Sequence, residues 1–180
     1  MGKKINYKVI RRNIKHPRLE LKTGDLIVVA PRDESFDISR FVESHSSWIE
    51  KKLGLIKEIK LKFNNLKLEE KSIEELKEIV NSEIFKFSDT LNINPNRVVF
   101  REMKTKWGSC SSKNNLTFNT LLRFLPKNLI KYVTYHEICH LRRLKHDVYF
   151  WNYIEKEYSN HKKYEEKLFG YWFLINNKIK

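Results

Sequence analysis

The run His136-Glu137-Ile138-Cys139-His140 decides how the rest of the chain is read. It matches H-E-x-x-H, a motif that carries a mechanism. On an α-helix, residues i and i+4 share a face, about 6 Å apart at Cβ. Two imidazoles so placed can grip one zinc ion at about 2.0–2.1 Å each. Glu137 stands beside the first of them, near enough to take a proton from a water on that ion. Zinc lowers the pKa of such a water to about 7, so a carboxylate can act as general base at neutral pH. The motif falls on an amphipathic stretch opened by Pro126 and carried on by Leu129, Ile130, Val133 and Ile138.

A third ligand is needed, and His146 lies six residues past His140. Along a continuous helix that step turns by about 240°, so the helix must stop near Arg143 or Leu144. Asp147 capping a further helix agrees with such a break. H-E-x-x-H-x₅-H is the ligand spacing of metzincins, although their central glycine is here Arg143 and no Met-turn is evident. Glu155 or Glu157 is the rival third ligand. The reading takes His136, His140 and His146 as ligands and Glu137 as base. Three protein ligands plus water is the arrangement of a catalytic zinc, and nickel or another divalent ion can suit the same donors. His45 lies on an apolar stripe and reads as packing. His16 and His161 read as surface residues. Cys139 reads as buried packing. Cys110 leaves a Cys-His nucleophilic pair open, although zinc accounts for more of the residues together.

Outward from the motif, Val98-Val99-Phe100 reads as a strand and Trp107-Gly108-Ser109-Cys110 as a turn or second short strand. Asn114-Asn115 is a hairpin signal before Leu116-Thr117-Phe118. Towards the C-terminus, Phe150, Trp151, Ile154 and Tyr158 mark one helix and residues 162–176 another. Towards the N-terminus, Ser72 with Glu75 forms a capping box for a helix that Pro95 ends. An earlier helix carries Ile38, Phe41, Val42, His45, Trp48, Ile49 and Leu53, with Ser39 as cap. Residues 5–30 alternate as strands around Pro17 and Thr23-Gly24-Asp25, a small antiparallel sheet. The order of sheet, helices, sheet and helices predicts an α+β class.

The chain has 180 residues and a formal net charge of +14. Its 41% hydrophobic content, with 11 Phe, 8 Tyr and 4 Trp, excludes a disordered or low-complexity chain. No apolar run approaches the roughly 20 residues of a membrane span. Two distant cysteines and no signal-peptide core predict a reducing cytoplasm. Residues 97–150 hold 11 basic and 3 acidic side chains, net +8. Basic residues interleave with aromatics at Lys104, Lys106, Trp107 and at Arg123, Phe124, the pattern of a nucleic-acid stacking surface.

The run Lys104-Thr105-Lys106-Trp107-Gly108-Ser109-Cys110-Ser111-Ser112 resembles the K-T-R-W-G-S-C-S signature of the YgjP-like metallopeptidase-domain family. Asn114-Asn115-Leu116 stands where that family has a G-N-L turn. Tyr132-Val133, His136-Glu137, His140-Leu141, His146 and Phe150-Trp151 follow in order. Lys106 replaces the usual Arg, Asn114 replaces Gly, and Asp147-Val148 stands where Ser-Pro is common. The resemblance is best from about 97 to 151. It implies a small zincin-like fold, akin to SprT-like proteases that act on protein bound to DNA. A sheet edge, residues 97–103 or 115–119, would take an extended peptide as an added strand. It also implies a nucleoside-triphosphate pyrophosphatase activity on UTP.

The sequence therefore predicts a zinc-dependent, metallopeptidase-like hydrolase, with the pyrophosphatase and a basic nucleic-acid-binding module as alternatives. The expected domain spans 1–180: strands over 1–35, helices over 36–94, and a zincin core with C-terminal helices over 95–180. Substrate is peptide or nucleotide, with no membrane partner. Arg101, Lys104 and Lys106 are candidate donors to an oxyanion or phosphate.

Overall fold

The structure, a computed structural model, describes residues 5–21, 25–63 and 65–178. The turn expected at Thr23-Gly24 lies outside them. The chain divides into two compact units, residues 1–64 and 65–180.

In the first unit, β1 (Tyr7–Arg12), β2 (Arg18–Leu21) and β3 (Leu26–Pro31) form a sheet of order β1-β3-β2. The sheet is mixed, not antiparallel throughout. β2 pairs antiparallel with β3, whereas β1 pairs parallel with it, Tyr7 opposite Leu26 and Arg12 opposite Pro31. The cause lies in β3. Leu26, Val28, Val29 and Ala30 are all buried, so this strand belongs at the centre with a neighbour on each side. Two reversals leave β1 and β3 running the same way. Two helices follow, α1 (Ile38–Ser44) and α2 (Ser46–Lys62). Asp37, not Ser39, caps α1, because its carboxylate accepts from the Arg40 N–H at 2.9 Å. The expected stripe is interrupted at His45. This residue is exposed rather than packed in the core, and its Nδ1 lies 2.8 Å from the Phe41 carbonyl. Val42 and Ile49 close a small core over Leu26 and Val28.

The second unit opens with α3 (Ile73–Leu91), where the capping box between Ser72 and Glu75 is formed in both directions. Asn92 ends it at φ 47°, a left-handed position that Asn tolerates. Then come β4 (Arg97–Arg101), β5 (Gly108–Cys110) and β6 (Asn115–Asn119), ordered β4-β6-β5. β4 pairs parallel and β5 antiparallel with β6. The strand reading of 97–103 holds over 97–101. A 3₁₀ turn over Thr120–Phe124, unforeseen in the sequence, buries Leu121, Leu122 and Phe124. Helices α4 (Lys127–Arg142), α5 (Val148–Glu157) and α6 (His161–Lys178) complete an α+β architecture. α4 is the central element. Leu129, Ile130, Tyr132, Val133 and Ile138 are buried, and Tyr135 meets Phe87 of α3 at 4.4 Å between ring centroids. No described helix is long and apolar enough to cross a membrane.

Removing the cap at Ser72 strands an amide at the start of α3. Ser72→Ala is expected to cost about 1 kcal/mol. Urea unfolding should show this as a lower midpoint at unchanged m-value.

Candidate metal centre

α4 carries His136 and His140 on one face, and its end brings the third imidazole to them. The helix stops at Arg143, whose backbone turns to φ −145°, ψ 104°. That is β-region backbone open to any residue, so the absence of a glycine here carries no strain. Asp147 caps α5, accepting from the Phe150 N–H. The Arg143 guanidinium spans the turn to Asp147, with Nε donating to Oδ2 at 2.7 Å. The expected break therefore occurs where His146 needs it.

The imidazole nitrogens converge. His146 Nε2 lies 3.0 Å from His136 Nε2 and 3.1 Å from His140 Nε2. Ligand atoms of all three fall within 4.8 Å of one another. Tetrahedral zinc with bonds of about 2.0–2.1 Å separates its ligands by roughly 3.3 Å, so the donor set fits such an ion. Tautomers fit as well. His140 Nδ1 donates to the Arg143 carbonyl at 2.9 Å, leaving Nε2 with its lone pair towards the cluster. Burial pushes His136 down to about 3, helped by the charges of His140 and His146, so its ring is neutral at neutral pH. Burial also lowers His140, against the pull of the Arg143 carbonyl. Behind His136, Glu165 Oε1 lies 3.8 Å from Nδ1 and accepts from the Tyr132 hydroxyl at 2.5 Å. The rivals are engaged elsewhere: Glu157 pairs with Lys86 at 3.1 Å, and Glu155 faces His161 at 3.8 Å.

Glu137 is 6% exposed, and its Oε2 has no hydrogen-bond partner. Burial pushes its carboxyl up to about 8, with Lys106 pulling it down and Glu165 raising it further. The cause of this burial is Gly108. A Cβ there would stand 2.6 Å from Glu137 Cγ and 2.7 Å from Oε1. Strand β5 approaches α4 closely enough to enclose the carboxylate because position 108 has no side chain.

The histidines and Glu137 open on a cleft of about 350 Å³, which Lys106, Gly108, Ser109, Cys110 and Leu144 also line. Of the three candidate donors, Lys106 lines it, whereas Arg101 and Lys104 do not. Asn119 positions that lysine's loop. Its Nδ2 donates to the Met103 carbonyl at 2.8 Å and the Lys106 carbonyl at 2.7 Å, and its Oδ1 accepts from Leu121 N–H. The sequence reading passed over Asn119 and Glu165, and met Tyr132 only as part of the family signature. An asparagine closing a strand was the one local signal. Cys139 is fully buried, as expected of a packing residue. Burial, and then Glu137, push the Cys110 thiol up to about 11, the reverse of an activated nucleophile. β6 is the central strand, so 115–119 offers no edge to a peptide; β5 supplies the edge at the cleft. His161, expected on the surface, is 8% exposed, because its ring stacks on Trp151 at 4.8 Å.

Converging imidazoles beside a buried carboxyl group, on an α+β scaffold, define a class: metal-dependent hydrolases of the metallopeptidase type. The chain belongs to the family described as YgjP-like, metallopeptidase domain, which matches residues 64–170. It is a zinc-metallopeptidase-like hydrolase. Among solved structures it is similar to the metallopeptidase zymogen abylysin of Pyrococcus abyssi. The identity is 22%, covering 49% of this chain and 90% of that one, with a TM-score of 0.45. The zymogen jannalysin of Methanocaldococcus jannaschii is 28% identical, covering 55% of this chain and 93% of that one, with a TM-score of 0.42. No curated protein matches the chain.

Two outcomes follow from the enclosure of Glu137. Gly108→Ala should displace the carboxylate while far-UV circular dichroism and zinc content stay as in the wild type. Turnover of a fluorogenic peptide should fall by about 10²-fold, the cost of roughly 1 Å of misplacement. In chelator-treated protein, the folded pKa of Glu137 stands above the unfolded value of about 4.3. A carboxyl raised on folding contributes stability below its unfolded pKa and loses it as pH rises through the folded one. The stability difference between wild type and Glu137→Gln should therefore drift against the wild type from about pH 4.5 to about pH 8. The lowered pKa of His136 acts in the opposite sense between about 3 and 6.5, and it cancels in this difference because both proteins carry it. A flat difference across that window in urea titrations rejects the buried-carboxyl account.

Proposed function

We propose that the chain cleaves peptide bonds, with His136, His140 and His146 as zinc ligands and Glu137 as general base. The observation that carries the reading is the buried, unpartnered Glu137 Oε2 beside three converging imidazole nitrogens. A closed structural zinc site has no use for such an oxygen. When bound, zinc supplies a Lewis acid that polarises a carbonyl and acidifies water. Glu137 accepts the proton from the attacking water at a carboxylate oxygen and returns it to the leaving amine. The Lys106 ammonium, in the lining of the cleft, stabilises negative charge on the carbonyl oxygen. The edge of β5 favours an extended peptide, since among the described residues no strand pairs with its outer side, and its residues line the cleft. The zincin-like character of this domain and the ligand roles rest on the same geometry.

Glu137→Gln should keep zinc, measured by atomic emission, while peptide turnover falls by about 10²–10⁴-fold. His146→Ala should lose zinc on gel filtration at neutral pH. The substrate panel holds denatured proteins and nucleoside triphosphates, each run with and without a chelator. Chelator-sensitive hydrolysis of the triphosphates alone would replace the peptidase with a phosphoanhydride hydrolase using the same base.

A further inference from the structure

A second, larger cavity of about 820 Å³ opens between α5 and α6. Trp151 and Val148 give it an apolar wall. Its charged lining is acidic in balance, with Glu155, Glu165 and Glu166 against Lys162. That stands against a chain whose net charge is +14. His161 also lines it, is 8% exposed, and has an Nδ1 with no hydrogen-bond partner. A buried polar atom left unpaired costs free energy, and in the tautomer whose proton sits on Nε2 this orphaned nitrogen calls for a donor that arrives from outside. Glu155 Oε1 lies 3.8 Å from that nitrogen. One donor nitrogen at about 2.9 Å from each acceptor spans such a gap.

The cavity adjoins the candidate metal centre. Trp151 stacks on His161 at 4.8 Å and 25°, and also on His146 at 5.7 Å and 29°. Glu165 borders both, since its Oε1 lies 3.8 Å from His136 Nδ1. An extended peptide advances about 3.3–3.6 Å per residue, so a side chain within two or three residues of the cleaved bond spans this separation.

We propose that this cavity is a substrate subsite for a cationic side chain, lysine or arginine, of a peptide held in the catalytic cleft. The inference rests on the peptidase reading and names its substrate class. The aliphatic stem lies on Trp151, as long cationic side chains pack along apolar surface. The cationic head donates to His161 Nδ1 and Glu155, with Glu165 and Glu166 supplying the surrounding negative field. A triphosphate would meet three carboxylates here and be repelled.

The test uses zinc-loaded full-length protein and two readouts. In the first, the indole N–H of Trp151, assigned through Trp151→Phe, is followed by NMR during titration with N-acetyl-lysine methylamide and with its norleucine counterpart. The lysine probe should move this resonance at concentrations where norleucine does not. Glu155→Gln should abolish the difference, as should Val148→Lys at a position 64% exposed. In the second, fluorogenic peptides identical except for lysine, norleucine or glutamate are placed at each of three positions on either side of the cleaved bond. One register should favour lysine over norleucine in kcat/KM by 10-fold or more. Both variants should bring that ratio towards one. Cleavage with no lysine preference in any register, or an indole equally insensitive to both probes, overturns the subsite. If no peptide is cut while the lysine probe still binds, the peptidase reading falls and the cation site stands.

Discussion

The whole site depends on one hydrogen bond at the end of a helix. Arg143 is the first residue past α4, and its carbonyl accepts from His140 Nδ1 at 2.9 Å. A carbonyl inside the helix would be taken by the amide four residues on. Because the helix stops, the carbonyl is free to fix the tautomer of a ligand. The same stop turns the chain so that His146 comes back over the pair. The Arg143–Asp147 ion pair then bridges the turn while Asp147 starts the next helix. That pair is partly exposed, and its value is geometric more than energetic. Five residues thus set a tautomer, a reversal and a helix start together.

A rigid scaffold is needed, because the site holds groups that folding does not favour. Glu137 is enclosed with one oxygen unpaired, and burial lifts its carboxyl to about 8. Such a group survives only where the surrounding packing over-determines its position. α4 provides that packing, with Ile130 and Ile138 fully buried and Tyr135 against Phe87. Asn119 serves the same end on the other wall of the cleft. It is fully buried, it ties the loop carrying Lys106 to the end of β6, and its amide is fully used. The functional geometry is thus built from core contacts, and the loops are fastened to it.

Charge is distributed by role more than by total. One lysine, Lys106, lines the cleft beside the histidines, whereas carboxylates predominate in the neighbouring cavity. The aromatics that interleave with basic residues in the sequence turn to packing. Phe124 is buried beneath the Arg123 guanidinium, and Trp107 meets Trp172 edge-on at 4.8 Å.

The amino-acid order by itself determined the features that arise from local chemistry. The 3.6-residue period put His136 and His140 on one face, Ser72 with Glu75 announced a helix start, and the six-residue step to His146 required the helix to stop. Each is a relation among residues a few positions apart, which backbone geometry alone enforces. What only the tertiary structure decided involves segments distant in sequence. The parallel pairing of β1 with β3 follows from which strand is central, and alternation along a strand is blind to that. The enclosure of Glu137 by Gly108 joins residues 29 positions apart, and a glycine reads the same whether it marks a turn or admits a carboxylate. His161 looked like a surface residue because its sequence neighbours are polar. It is buried because Trp151, from another helix, offers its ring face, and such contacts exist only once the helices have packed.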